Sequence, residues 1–468
     1  MSTRLMPYPE YKGSGLPWLG RAPAGWETRR AKSIFDCVDI RSDTGEEELL
    51  TVSARDGVVP RREKQVTMFK AESYVGHKLC WPGDLVINSL WAWAFGLGFS
   101  DHHGIVSSAY GVYRPKPQLR EASRYLNYLL RSRAYEWELR VRSKGIWTSR
   151  LQLTDESFLD MPVVLPPPQD TGAIVGFLSH FDRRISRLVR AKRRMIQLLH
   201  EHKQTIIHRA VTRGLRPNVR LKPSGIEWLG EIPDHWVLKR LKFVAAVGSG
   251  QVDPRELPYR EYPPVAPNHI EPAMGELLPP QTAADQGADS PKYVVEPSQL
   301  VYSKIRPNLR KAAIAPSKCL CSADMYPISP DARELRPRFL MRLLLSAPVT
   351  QYLVDCSMRV AMPKVNRVAL GDCWLWYPSL SEQDSILSRL GALLAPLEVP
   401  ASRAHREIGL LREYRARLVA DVVTGKLDVR EVELPSEEDD DTREDLESDE
   451  ALGAEEADEV EVEEDADE

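Results

Sequence analysis

The stretch Ser14-Gly15-Leu16-Pro17-Trp18-Leu19-Gly20-Arg21-Ala22-Pro23-Ala24-Gly25-Trp26 returns without a gap, 210 residues later, as Ser224-Gly225-Ile226-Glu227-Trp228-Leu229-Gly230-Glu231-Ile232-Pro233-Asp234-His235-Trp236. Both tryptophans, two glycines and the second proline coincide, and Arg30-Ala-Lys32 is answered by Arg240-Leu-Lys242. An internal repeat fixes the architecture before any motif does. Working outward, Asp84–Ser89 aligns with Gln299–Lys304 at an offset of 215, and Ser107–Tyr110 meets Ser322–Met325 in the same register. Arg150 aligns with Lys364 at an offset of 214. Each half closes on a proline-rich exit, Leu165-Pro-Pro-Pro168 or Tyr377-Pro378, then Gln169-Asp170 or Gln383-Asp384. The borders agree while the interiors differ, which predicts one scaffold carrying two unlike reading heads.

A helix pattern follows each half. Ile174, Leu178, Phe181, Ile185, Leu188, Met195, Leu199 and Ile206 alternate at three and four residues, with Lys192 and His202 in the gaps. The second run is Leu387, Leu390, Leu394, Leu397, Ala401, Ala404, Ile408, Leu411, Leu418 and Val422, with Arg415 in its gap. Five heptads of this alternation predict two paired coiled-coil helices, each about 60 Å long for ~40 residues. Pro396 and Pro400 interrupt the second, and an interior proline costs ~3 kcal/mol or more, so a kink or break is expected there. Val-Thr-Arg-Gly214 and Val-Thr-Gly425 supply glycines suited to ending the helices.

With 468 residues, 43% hydrophobic and 28% charged, the chain holds more than one ordinary domain. The net charge of −4 conceals a division. Ser436–Glu468 carries 20 Asp or Glu and a single Arg, whereas residues 1–435 have 62 basic and 47 acidic side chains. A body with that excess attracts polyanions, nucleic acid among them. An acidic run of this kind reads as a disordered, solubilising tail, or as a competitor of DNA for the basic heads. Six scattered cysteines include no C-x-x-C pair and read as idle reduced thiols, with no metal site. Arg4, Glu10 and Lys12 occupy the place of a signal-peptide core, and no apolar run approaches a membrane span, so a cytoplasmic protein without a membrane partner is expected.

Catalytic signatures are missing. The sequence contains neither GxxxxGK[ST] nor HExxH, and Gly248-Ser-Gly250 lacks a third glycine. The Asp/Asn-Pro-Pro-aromatic tetrad of amino-methyltransferases is also absent. The interiors of the repeats instead interleave basic, amide and aromatic residues. The DNA-binding candidates in the first half are Arg61, Arg62, Lys64, Asn88, Ser89, Trp91, Lys144, Ser149 and Arg150. Those in the second are Lys304, Arg306, Asn308, Arg310, Lys311, Lys364, Asn366 and Arg367. Arginine and lysine neutralise phosphates and pair with guanine edges, while asparagine suits adenine.

These features together resemble the specificity subunit of type I restriction–modification systems. The resemblance covers residues 10–430. It is carried by the two Trp-Leu-Gly-x-x-Pro-x-x-Trp stretches, Gly104-Ile-Val-Ser-Ser-Ala-Tyr110 with Cys321-Ser-Ala-Asp-Met-Tyr326, and Met362-Pro-Lys-Val-Asn-Arg367. It implies a mixed α/β (α+β) chain with a pseudo-twofold repeat and two globular target-recognition domains. Two long conserved helices, packed as an antiparallel coiled coil, would separate the domains. The boundaries expected are an opening segment 1–26, recognition domain 27–168, spacer helix 169–215 and a linker with the second opening at 216–236. Recognition domain 237–379, spacer helix 380–427 and the acidic tail 435–468 follow. The resemblance further implies that each domain reads one half of a bipartite double-stranded DNA target. The helices would set the gap and dock two methyltransferase subunits, through candidates Ile174, Phe181, Ile185, Leu188, Leu199, Leu397, Ile408, Leu411 and Leu418. S-adenosylmethionine, and ATP with Mg, would sit on those partners and on restriction subunits, leaving this chain without a cofactor or catalytic residue. Two other readings stay open: an assembly adaptor, and a DNA-modifying enzyme whose motif is unfamiliar.

Overall fold

The two quoted stretches fold as matching hairpins, each holding a tryptophan in its own core. In the computed structural model, which describes residues 5–63, 73–145, 151–216, 218–275, 277, 290–357 and 363–434, the chain divides into two units. One comprises Met1–Arg190 with Glu407–Glu468, the other Ala191–Arg406.

Unit 1 runs β1 (Tyr11–Gly13), β2 (Arg21–Pro23), β3 (Glu27–Arg30), β4 (Phe35–Cys37), β5 (Leu50–Ser53), β6 (Gly57–Pro60), β7 (Lys78–Cys80), β8 (Leu85–Ile87), β9 (Leu97–Phe99), β10 (Gly104–Val106) and β11 (Gly111–Pro115). Then come α1 (Ser123–Leu130), α2 (Arg133–Arg142), α3 (Asp155–Leu159), β12 (Pro162–Leu165) and the first part of α4 (Pro168–Arg213). An antiparallel sheet has the order β4-β11-β8-β9, and β12 returns to pair with β3. Leu85 and Ile87 share one core with Trp26, Tyr113, Leu126 and Leu129, while Val86 and Val112 share another with Val52, Cys80 and Val106. Burial on both faces is why β8 is an unbroken apolar run instead of an alternating one.

Unit 2 repeats the plan. Its strands are β13 (Leu221–Pro223), β14 (Glu231–Pro233), β15 (Val237–Arg240), β16 (Ala245–Val247), β17 (Gln251–Val252), β18 (Pro264–Val265), β19 (Lys292–Val295), β20 (Leu300–Ser303), β21 (Ala312–Ile314), β22 (Cys319–Ser322) and β23 (Met325–Pro330). The helices α5 (Pro337–Leu344), α6 (Ala347–Ser357) and α7 (Arg367–Asp372) precede β24 (Trp374–Tyr377) and α8 (Leu380–Val423). The sheet order β16-β23-β20-β21 matches strand for strand. Leu85 opposes Tyr113 and Phe99 as Leu300 opposes Ile328 and Ile314, an offset of 215 throughout. Tyr11 opposite Pro23 becomes Leu221 opposite Pro233 at 210, so the segment 216–236 contains a hairpin of unit 2.

Both long helices contribute to both units. In unit 1, Ile174 and Leu178 share a core with Leu418 and Val422; Arg415 donates two bonds to Asp182 at 2.8 and 2.9 Å, and Tyr128 Oη donates a third at 3.0 Å. In unit 2, Ile207 and Val211 share a core with Ile386 and Leu390. Within each unit the two helices therefore run antiparallel. Gly214 and Gly425 take φ of +73° and +72° at the helix ends. The carbonyl of Val211 accepts from Trp376 Nε1 at 2.9 Å, and that of Val423 accepts from Tyr125 Oη at 3.0 Å.

Two expectations for the helices change. The break at Pro396 and Pro400 does not occur, for α8 is continuous from Leu380 to Val423. The prolines lie four residues apart, so both missing N–H bonds fall on one face. Ala392 and Pro396, whose carbonyls lose those bonds, are exposed to water. In α4 the stripe keeps its expected register as far as Ile185 and then slips by one residue. Val189 and Lys203 are buried and Ile196 half-buried, while Leu188 and Met195 are 44% and 40% exposed and His202 is exposed. The inward set Ile174, Leu178, Phe181, Ile185, Val189, Lys192, Ile196, Leu199, Lys203, Ile207 and Ala210 averages 3.6 residues per step.

Candidate nucleic-acid interface

The candidate surface of each unit is built from one loop and one returning segment. In unit 1 the loop 88–96 joins β8 to β9 and closes through Asn88 N–H to Gly96 O at 2.8 Å. In unit 2 the loop 303–311 joins β20 to β21 and closes through Ser303 N–H to Lys311 O at 2.9 Å, the same bond at offset 215. The returning segment docks alike: Leu153 N–H donates to Ser89 O at 2.9 Å, and Val365 N–H to Lys304 O at 2.8 Å. The frame of main-chain bonds is thus common to both units, and the side chains on it differ.

Loop 88–96 is aromatic. Trp91 and Trp93 stack at 5.7 Å with 24° between their planes, and Trp93 Nε1 donates to Leu90 O at 3.0 Å. Phe95 turns through φ +62°, and Gly96 leaves room for the carbonyl of Trp91, 2.9 Å from where a β-carbon would stand. Exposed Lys144 lies beside this loop, bonded through its main chain to Gln152. Arg61 and Arg62 stand instead on the turn after β6, where Arg61 N–H donates to Leu49 O and Arg62 pairs with Glu48 at 3.1 Å.

Loop 303–311 is cationic. Arg306 and Arg310 adopt φ of +47° and +50°, bracketing exposed Asn308 on a short turn. Arg306 N–H donates to Pro363 O at 3.2 Å and Ile305 bridges Lys364, bringing Lys304, Arg306 and Lys364 onto one surface. Lys364 Nζ lies 3.7 Å from Asp324. Half-buried Lys311 forms the closing edge of the loop. Beneath it the Tyr326 ring is flanked by Lys304 Nζ at 5.5 Å and the Arg367 guanidinium at 4.7 Å. Burial pushes the Tyr326 hydroxyl up in pKa, against the pull of Arg367.

Several of the candidate readers make hydrogen bonds within the fold. Ser89 is buried and its hydroxyl donates to Ala109 O at 2.7 Å. Asn88 donates to Tyr110 Oη at 3.1 Å and accepts from Leu90 N–H at 3.2 Å. Asn366 caps α7, its Oδ1 accepting from Ala369 N–H at 2.8 Å. Arg367 donates to Val247 O at 3.2 Å and Tyr293 Oη at 3.3 Å. Lys64, Ser149 and Arg150 lie outside the described residues. The offset of 214 that paired Arg150 with Lys364 does not hold around Lys364. The equivalent bonds Leu153 N–H to Ser89 O and Val365 N–H to Lys304 O set Lys364 against Gln152 at 212. Tyr293 carries no signal in the sequence, whereas Tyr326 closes the Cys321–Tyr326 motif.

The helix candidates are mostly internal. Ile174, Ile185, Ile408 and Leu418 are buried, Phe181, Leu199, Leu397 and Leu411 half-buried, and Leu188 alone among them is exposed. The four buried side chains pack in the cores of the chain itself. Apolar side chains exposed on the helices include Leu188, Met195, Leu198, Val399, Leu410 and Tyr414. Among the described residues no helix is long and apolar enough to cross a membrane.

Fold and surface define a class: a protein with two α/β heads of one framework, each displaying its own loop set. No family model matches the chain. It is 27% identical over 283 residues to the type I restriction enzyme EcoDI specificity subunit of Escherichia coli, a match spanning 57% of this chain and 63% of that subunit. It is 22% identical over 349 residues to the MjaVIII specificity subunit of Methanocaldococcus jannaschii, covering 71% of this chain and 76% of that one. A structure solved in work on complex assembly and conformational transition of the type I restriction–modification system shares the fold. It has a TM-score of 0.58 at 15% identity, covering 87% of this chain and 99% of that one. The chain is similar in sequence to two type I restriction specificity subunits and shares its fold with that solved structure.

Proposed function

We propose that the chain is the DNA-specificity component of a type I restriction–modification assembly. Each unit reads one half of a bipartite double-stranded target, and α4 and α8 set the gap between the halves. One observation carries this reading: equivalent main-chain bonds hold loops of equal length, 88–96 and 303–311, that differ in chemistry. A scaffold kept constant under unlike surface loops suits recognition of two unlike sequences, since base edges are read by side chains while phosphate contacts only position the protein.

On this reading the chain itself is non-catalytic. Two methyltransferase subunits supply S-adenosylmethionine and modify adenine, and restriction subunits, where present, supply ATP- and Mg-dependent steps. Docking falls to exposed apolar positions of the helices, Leu188, Leu410 and Tyr414 in unit 1 and Met195, Leu198 and Val399 in unit 2. The assembly works on cytosolic DNA.

Modified-base sequencing of genomic DNA from cells with and without this gene, its neighbours intact, tests the reading. Loss of a two-part methyl-adenine motif with a fixed gap is the expected result. An unchanged methylation pattern while the methyltransferase is present, or transfer of label from S-adenosylmethionine to DNA by the purified chain alone, overturns it.

A further inference from the structure

Unit 1 contains a cleft of about 1250 Å³ at the end of its sheet away from loop 88–96, between the β7–β8 turn, α1 and the two long helices. Its wall carries seven arginines, among them Arg120, Arg124, Arg131 and Arg133, against four carboxylates. Two of the carboxylates are already engaged. Asp84 accepts two bonds from Arg114 at 2.8 Å, and Asp182 accepts two from Arg415. Arg131 donates to the main-chain oxygens of Ala54 and Arg55 at 2.6 and 3.0 Å. Burial and the neighbouring Arg415 cation both press its pKa down, against the weaker pull of Asp56. Desolvated cations set beside one another are stabilised by an anion brought from elsewhere.

The chain carries such an anion. Leu434, the residue before the acidic segment 435–468, lies against α4, its Cδ1 3.8 Å from where a β-carbon on Gly176 would stand. Ser179 and Asp182, which line the cleft, follow on the same helix, and Ser179 is about 5 Å further along its axis. A segment with 20 carboxylates and one arginine therefore begins about one helical turn from residues that line the cleft.

We propose that the acidic segment 435–468 occupies this cleft as an intramolecular polyanion, held by Arg120, Arg124, Arg131 and Arg133. The inference is independent of the DNA role proposed above, because the cleft and loop 88–96 lie at opposite ends of β8 and β9. Tethering holds the segment at an effective concentration on the order of millimolar, and salt weakens the contact.

Phenylglyoxal modification of Arg120, Arg124 and Arg133, mapped by mass spectrometry, tests it on the full chain and on a chain ended after Leu434. At ~50 mM salt the three arginines should react about tenfold more slowly in the full chain, the difference vanishing near ~1 M salt. Adding a peptide of residues 435–468 to the shortened chain should restore protection. Equal rates in the two chains at low salt overturn the proposal, as does a difference that survives high salt. Protection of the shortened chain by duplex DNA but not by the peptide also overturns it and makes nucleic acid the occupant.

Discussion

Thr154 and Asn366 perform one task in the two halves, 212 positions apart. Thr154 Oγ1 accepts from Ser157 N–H at 3.2 Å to cap α3, and Asn366 Oδ1 accepts from Ala369 N–H at 2.8 Å to cap α7. Asn366 belongs to a motif that suggests adenine recognition, yet its oxygen is spent on the backbone. Asn366→Ala should lower stability by about 1 kcal/mol, as loss of an N-cap does, and Asn366→Asp or Asn366→Thr should restore most of it. Urea midpoints of the three variants decide the matter. A variant as stable as the parent that loses one half-site would make Asn366 a reader after all.

Arg306 and Lys364 make the contrasting case, since their side chains lie on the surface that loop 303–311 presents. Replacing either by alanine should weaken DNA binding. For each residue that meets a phosphate, the slope of log K against log salt should fall by about 0.9. Titration of the assembled complex with duplexes across ~50–300 mM salt measures this. An unchanged slope together with relaxed preference at one half-site would assign the side chain to base contact.

The repeat was the most legible feature of the sequence because its carriers are core and turn residues. Trp26, Trp236, Leu85 and Leu300 are buried, and the positive φ of Gly20 and Gly230 restricts those positions in both halves. The seam of α8 was legible for the same reason. The slip in α4 was not, because Leu188 and Val189 are adjacent apolar residues and only the neighbouring surfaces choose between them. The reading surface was legible as a composition but not residue by residue. Asn88, Ser89, Asn366 and Arg367 carry the right donors and acceptors, and the fold claims them for turns, caps and ring contacts.

Gly425 and Gly214 end their helices with nearly the same backbone angle but different surroundings. A β-carbon on Gly425 would stand 2.4 Å from Pro23 Cδ and Cγ, whereas one on Gly214 would meet Trp236 at 3.4 Å and Glu382 at 3.5 Å. Gly214→Ala should cost about 1–2 kcal/mol, the strain of a left-handed alanine. Gly425→Ala should cost more, because the proline ring cannot swing aside and the opening hairpin must move. Thermal and urea unfolding of the two variants should rank them in that order; equal losses would mean that the hairpin yields without resistance.

Glu334 ties two strands of unit 2 to the approach to α5. It accepts from Lys239 Nζ at 2.5 Å and from Tyr377 Oη at 2.5 Å, and these bonds hold its carboxyl below the ordinary glutamate range. Because the folded pKa lies below the unfolded value, the stabilisation is complete above the ordinary range and is lost as pH falls through the folded value. Lys239 is 41% exposed, so solvent screening limits the pair to about 1 kcal/mol. Glu334→Gln should therefore unfold at lower urea than the parent at pH 7, and the gap should close in acid below the folded pKa. Urea midpoints for both proteins at neutral pH and at successive acid steps give the comparison. A gap of constant size across those steps would show that the side chain acts through shape and hydrogen bonding alone, not through its charge.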